Sequence, residues 1–275
     1  MNRINEQLVG FLNTPSLWYE SELFNLKQFQ LPNRAENNLN EIGSMLPQLS
    51  SNFVLGKRME IFFEYLLSQS NQYEVVAKNL QIFSKKVTLG ELDFLVKDIL
   101  EDVFYHIELV YKFYLYDPGN EGETGWIGPN RKDSLLQKIS RLKNHQLPLL
   151  RKEETREILT SYGLSAPEII QKVCFKATLF IPQNDKFYKK SNVNKDCIAG
   201  YWIKFRDFSS AEYANHYFYA PKKQDWPIDP SANQEWVPFV EFVELLSEFM
   251  AKNRSPLVWM KNTTGGFERF FVVWW

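Results

Sequence analysis

Cysteine and histidine are scarce in this chain of 275 residues, with two of the former and three of the latter. Cys174 lies in an apolar run and Cys197 in a polar one, too few for a disulfide framework or a zinc site of four cysteines, so both thiols are expected to be reduced. His106, His145 and His216 show no Ser-His-Asp or Cys-His arrangement, which leaves nucleophilic hydrolase chemistry unsupported. No stretch approaches the roughly 18 apolar residues of a membrane span. The first ten residues, MNRINEQLVG, lack the basic-then-apolar pattern of a signal peptide. A cytoplasmic protein without a membrane partner is expected. No glycine-rich segment ends in Gly-Lys-Ser/Thr, so no phosphate loop of that type is present. An excess of charge is missing as well: 32 basic against 33 acidic residues give a net charge of −1. Contact with a polyanion would therefore need a local basic patch. The run over residues 131–143, with Arg131, Lys132, Lys138, Arg141 and Lys143, and a second group over residues 186–195, are candidates for one.

Apolar side chains are plentiful. Hydrophobic residues make up 44% of the chain and aromatics 16%, enough apolar surface for a sizeable core and too much for disorder. The length suits one elaborated domain over residues 1–275. Within it we expect a core over about residues 50–182, an N-terminal helical addition over 1–49 and a C-terminal α/β addition over 183–275. No internal repeat or low-complexity tract occurs.

Residues 1–50 read as short helices broken at Pro15, Pro32 and Pro47. Over residues 56–67, Met59, Phe62, Phe63, Leu66 and Leu67 recur at helical spacing. Three strand-like stretches follow at 73–83, 88–97 and 103–116. The five residues between the second and third predict a hairpin and antiparallel pairing. Residues 117–131 carry glycines and prolines and read as a loop. Helical periodicity returns over 134–150, with Leu135, Ile139 and Leu142 inward and Asp133 or Ser134 as the cap. A strand over 172–181 completes the order helix, three strands, helix, strand. Further strands are expected at 200–208, 217–220 and 269–275, with a helix over 237–252.

The third strand carries the chemistry. Side chains two apart share a face, so His106, Glu108, Val110 and Lys112 line one side and Ile107, Leu109, Tyr111 and Phe113 the other. A carboxylate and an ammonium inside a strongly apolar strand demand partners, because a buried charge is expensive unless paired or metal-bound. Asp93 repeats the oddity on the neighbouring strand. Two carboxylates from adjacent strands suit a magnesium ion, which takes one or two carboxylates and completes its shell with water and phosphate oxygens. His106 reads as a hydrogen-bonded core histidine. Lys138, Arg141 and His145, at i, i+3 and i+7, share a helix face that could meet phosphates.

Gly90-Glu91-Leu92-Asp93-Phe94-Leu95-Val96 and then Glu108-Leu109-Val110-Tyr111-Lys112, after a helix bearing Glu60, resemble the PD-(D/E)XK nuclease superfamily. Gly56-Lys57-Arg58-Met59-Glu60, His106-Ile107-Glu108-Leu109, Lys112-Phe113-Tyr114-Leu115 and His145-Gln146-Leu147 resemble more narrowly an uncharacterised bacterial family within it. Weaker similarity lies around Gly200-Tyr201-Trp202 and residues 270–275. The resemblance implies an α/β fold of the α+β type, restriction-endonuclease-like, with a central mixed sheet and helices on both faces. It also implies metal-dependent hydrolysis of phosphodiester bonds in nucleic acid, DNA ahead of RNA, with Mg2+ or Mn2+ as cofactor. By it Asp93 and Glu108 are metal ligands, Lys112 the catalytic lysine and Glu60 an accessory acid. In the superfamily pattern the lysine follows the glutamate by two residues, where this chain has Val110. Lys112 therefore lies about 13 Å along the strand from Glu108, where about 7 Å is usual. A bulge, a lysine reaching back, or Lys138 on the following helix could close that gap. The alternative function is a catalytically inactive nuclease-like module that binds nucleic acid or protein.

Overall fold

The computed structural model describes residues 2–19, 23–32, 49–50, 52–183 and 191–275. Its centre is a mixed ten-stranded sheet. Strands β1 (Tyr73–Ser84), β2 (Val87–Asp98) and β3 (Val103–Tyr116) form the expected antiparallel meander. A two-residue strand, β4 (Trp126–Ile127), returns from the loop onto the end of β3. Strand β5 (Ile169–Pro182) runs parallel to β3 from Phe104↔Ile169 to Leu115↔Phe180. It is nearly all buried, as a parallel strand covered on both faces must be.

The sheet continues without a break into the C-terminal part through β6 (Ile198–Lys204), β7 (Tyr217–Tyr219), β8 (Val237–Pro238), β9 (Leu257–Lys261) and β10 (Phe267–Val273). The order is β1-β2-β3-β5-β6-β10-β9-β7-β8, with β4 on β3. Strand β9 and the pairing of β7 onto it were not anticipated from the sequence.

Helix α1 spans Arg3–Asn13 and α2 spans Leu55–Ser68. Met59, Phe62, Phe63, Leu66 and Leu67 of α2 are buried on the sheet face that carries Phe94, Val96, Ile107 and Leu115. Helix α3 (Leu135–Arg141) starts at Ser134, whose hydroxyl accepts from the Gln137 N–H as an N-cap. Its Leu135 and Ile139 cover the opposite face with Val110, Tyr114, Val173 and Phe175. Helices therefore lie on both faces of the sheet. Helix α4 (Glu153–Ser161) follows, and α5 (Phe239–Ala251) packs its Phe239, Phe242 and Leu246 on β9 and β10. No helix among the described residues is long and apolar enough to cross a membrane.

Among the described residues of the N-terminal addition, α1 is the one helix. After α1 the described chain is extended, and it bridges β5 at Ser16↔Lys176 and Gln28↔Val173. Backbone bonds such as Leu17 N–H to the Phe175 carbonyl hold it there, and Lys176, buried to 7% exposure, donates to the Leu12 and Thr14 carbonyls at the open end of α1. The expected break at Pro47 and most of the basic group over 186–195 lie outside the described residues.

Candidate functional site

Pairing of β2 with β3 runs from Asp98↔Val103 only as far as Phe94↔Ile107. β4 meets β3 again at Leu115 and Tyr116, and β5 holds the other edge throughout. Between these contacts, the edge of β3 facing β2 has no strand partner among the described residues, which leaves a notch in the sheet. Asp93 is the first residue of β2 beyond the pairing, and continuing the register sets it opposite Glu108. Its Oδ2 accepts the Leu109 N–H at 2.9 Å, satisfying a backbone donor that the ladder has released.

Strand β1 distorts at the same level. Lys78↔Phe94 and Leu80↔Leu92 bracket Asn79 opposite Asp93, and Asn79 has φ 51°. A left-handed residue inside a strand costs about 1–3 kcal/mol, and asparagine tolerates it better than most. The turned Asn79 amide donates to Glu60 Oε2 at 3.0 Å and Glu91 Oε1 at 2.8 Å. Lys57 closes the group with bonds to Glu60 at 2.6 Å and to Asn79 Oδ1 at 3.2 Å.

Glu108 is fully buried, and each of its oxygens has a partner. His106 lies 3.0 Å from Oε1 through Nε2, and Gln146 donates to Oε2. Gln171 Nε2 donates both to the Leu147 carbonyl at 2.6 Å and to His106 Nδ1 at 3.0 Å. With Nδ1 accepting, the neutral ring carries its proton on Nε2 and gives that hydrogen bond to Glu108. On the other side, Lys138 Nζ donates to Gln146 Oε1 at 2.8 Å. Glu108 is thus held from both ends of one hydrogen-bonded chain that leads to an amine.

Burial, with the nearby Glu108 charge second, pushes the Asp93 carboxyl up to about 8, against the Leu109 N–H that favours its anion. Burial also pulls the Lys138 ammonium below the ordinary lysine value, while Glu108 and Asp93 oppose that shift. An amine so placed is suited to hold or pass a proton.

The structure brings Asp93, Glu108 and Lys138 together, and Glu60 is near enough to act on Asp93 electrostatically. Lys112 has its Nζ 2.6 Å from Asp133 Oδ2 in a half-exposed ion pair, near enough to Lys138 to act on it electrostatically. Arg141 and His145 are exposed. The expected face of Lys138, Arg141 and His145 is altered because residues Leu142–Gln146 form a π turn before the last helical turn, Leu147–Leu149. One inserted residue sets Gln146 over Lys138, where an unbroken helix would set His145.

Two carboxylates opposed across a notch, one holding its proton because of burial and the other's charge, gain from a cation. The residues fit a hard ion that takes one or two carboxylates and fills its shell with water and phosphate oxygens. They do not fit a caged transition metal, since among the described residues no group of three or more His, Cys, Asp or Glu could hold one.

Residues 7–273 match the family described as Domain of unknown function (DUF1853). The chain belongs to that family. No curated protein and no solved structure matches it. In this DUF1853 chain, sequence reasoning missed the site contributions of Asn79, Gln146 and Gln171. Only Gln146 left a signal, through Pro148 two residues on. A proline inside a helix lacks the N–H for its i−4 bond and crowds that carbonyl, which favours a widened turn just before it.

Proposed function

We propose that this chain is a metal-dependent nuclease of the PD-(D/E)XK kind, hydrolysing phosphodiester bonds of nucleic acid, DNA ahead of RNA. The observation that carries the reading is the notch, where Asp93, Glu108 and a partly buried amine meet in an otherwise apolar sheet. The order α2, β1, β2, β3, α3, β5 in a mixed sheet supports a restriction-endonuclease-like core.

In this reading Asp93 and Glu108 hold magnesium or manganese. The ion supplies Lewis-acid stabilisation of the phosphate and a more acidic bound water. Lys138, rather than Lys112, faces the phosphate and balances charge developing there. Gln146 and His106 fix the Glu108 carboxylate so that its rotamer need not be ordered when substrate arrives. Glu60, tied to Lys57 and Asn79, sets the field at Asp93. Hydrolysis adds water to phosphorus and breaks one ester P–O bond, and the leaving oxygen takes a proton.

A second reading, an inactive module that binds nucleic acid or protein, draws on the engagement of both Glu108 oxygens with other side chains. Calorimetric titration of the full chain with Mn2+, with cleavage assays on single- and double-stranded DNA and RNA, separates the two. We expect Mn2+ binding that is lost in Asp93→Asn, and cleavage reduced about 100-fold or more in Lys138→Met. Metal binding without cleavage of any substrate favours the second reading. No metal binding at millimolar concentration removes the first.

A further inference from the structure

A cleft of about 380 Å³ lies between α4 and the start of β5, lined by Arg151, Lys152 and Arg156 and by Leu150, Leu159 and Leu164. We propose that it is a subsite for one unpaired nucleotide of the strand whose phosphodiester the Asp93–Glu108 site cleaves, and the proposal rests on that nuclease reading.

The cleft is built into the same part of the fold as the carboxylates. Its floor packs in one apolar layer with Leu92 and Leu95, which flank Asp93 on β2. Leu149, which leads into the cleft, lies over Gly90, where any Cβ would come within 2.9 Å of its Cδ2. The absence of a side chain at Gly90 is what lets this segment close down on β2. Thr155, fully buried at the start of α4, donates to the Leu149 carbonyl at 2.6 Å. The Leu147 carbonyl is held by Gln171. A wall fixed at both ends gives a preformed cleft, as small-ligand sites usually are.

Charge points to the class of occupant. From residue 134 to 152 the chain has Lys138, Arg141, Lys143, Arg151 and Lys152 and no acidic residue, in a molecule of net charge −1. Arg156 adds a further cation. Its ion pair with Glu153 has both partners more than 70% exposed, so it holds the guanidinium weakly and yields to a phosphate. The cleft therefore combines three cations with an apolar floor. That combination suits a single strand, whose phosphates follow the cations while a base rests on apolar side chains. A cleft of this size admits one nucleotide and excludes a duplex.

The test is fluorescence anisotropy of the full-length chain with a short labelled oligothymidylate across a salt series, without divalent metal so that nothing is cleaved. Arg151→Ala, Lys152→Ala and Arg156→Ala are combined in one variant, and Lys252→Ala with Lys261→Ala serves as control. The combined variant should bind roughly tenfold or more weakly. Its slope of log affinity against log salt should be shallower by about 2, from three lost cations at about 0.7 each. The control should match wild type. An unchanged slope, no binding by wild type, or equal binding of a polyglutamate of matched charge overturns the proposal. Mn2+ titration and cleavage on the same proteins keep the two ideas apart. Asp93-dependent cleavage with an unchanged slope in the combined variant sinks the cleft alone, whereas absent metal binding and cleavage sink the nuclease reading itself.

Discussion

At the scale of residues, charges in apolar strands marked the two carboxylates of the candidate site, while Lys112, marked on the same ground, pairs with Asp133. Asp93 and Glu108 stood out on that ground, and His106 was read correctly as a bonded core histidine. Asn79 was not, because a single left-handed residue inside a strand leaves no pattern in the neighbours. Asp93 also has a thermodynamic consequence. In the folded chain its carboxyl is pushed to about 8 from an ordinary value of 3.8. Between those pH values the folded chain binds more protons than the unfolded one, so stability from this group is present at low pH and lost as pH rises towards 8. Asp93→Asn cannot ionise and escapes that loss. The Tm of the variant minus that of wild type should therefore climb between pH 4 and pH 8 in metal-free buffer. Scanning calorimetry across that range checks it, and a flat difference would mean that the folded carboxyl ionises as an unfolded one does.

At the scale of elements, the helix, three-strand, helix, strand order was readable because most segments keep one period throughout, whereas α4, inserted before β5, was not anticipated. The exception was the second helix, for which a constant 3.6-residue period over 134–150 set His145 beside Lys138. The π turn at Leu142–Gln146 shifts the phase by one residue and sets Gln146 there instead. The reach of the N-terminal segment was also hidden, since its backbone bridges to β5, and the Lys176 bonds to the Leu12 and Thr14 carbonyls, join residues more than 140 positions apart in sequence. The π turn makes adjacent residues unequal. Gln146→Leu removes a donor from buried Glu108 and an acceptor from Lys138, and leaving such groups unpaired costs about 1–3 kcal/mol. His145→Leu changes an exposed side chain. Denaturant unfolding should register the loss in the first variant and a change within about 0.5 kcal/mol in the second. Equal effects would mean that the helix keeps a regular period in solution.

At the scale of the whole molecule, the division into a core with two additions expected from the sequence meets a physical obstacle. The cluster under α2 contains Leu8 and Phe11 from α1, and Trp202, Trp226, Trp259 and Phe271 from the C-terminal part, alongside Phe62, Phe94 and Ile107. Phe113 lies against Trp226 with ring centres 5.1 Å apart, and Phe180 against Phe271 at 4.8 Å. The polar contacts cross in the same way. Buried Gln7 donates to Asp225 at 2.6 Å and accepts from buried Arg58 at 3.0 Å, linking α1, α2 and the C-terminal part. Trp202 donates its indole N–H to the Tyr116 carbonyl at 2.9 Å. Periodicity within a segment carries no information on which distant segment covers it, so these contacts could not be read beforehand. A fragment of residues 50–182 would expose one wall of this core and the far edge of β5. It would also remove Gln7, leaving buried Arg58 with the Ser50 and Phe53 carbonyls as acceptors but without the bond that ties it to α1. Each large apolar side chain uncovered forfeits about 1.5–3 kcal/mol, and four such losses reach the whole stability of a typical domain. The fragment should therefore show no cooperative thermal transition by circular dichroism, while the full chain unfolds with coincident near- and far-ultraviolet transitions. A fragment that melts cooperatively would show that the core supports itself and that the C-terminal strands are an attachment to a finished sheet.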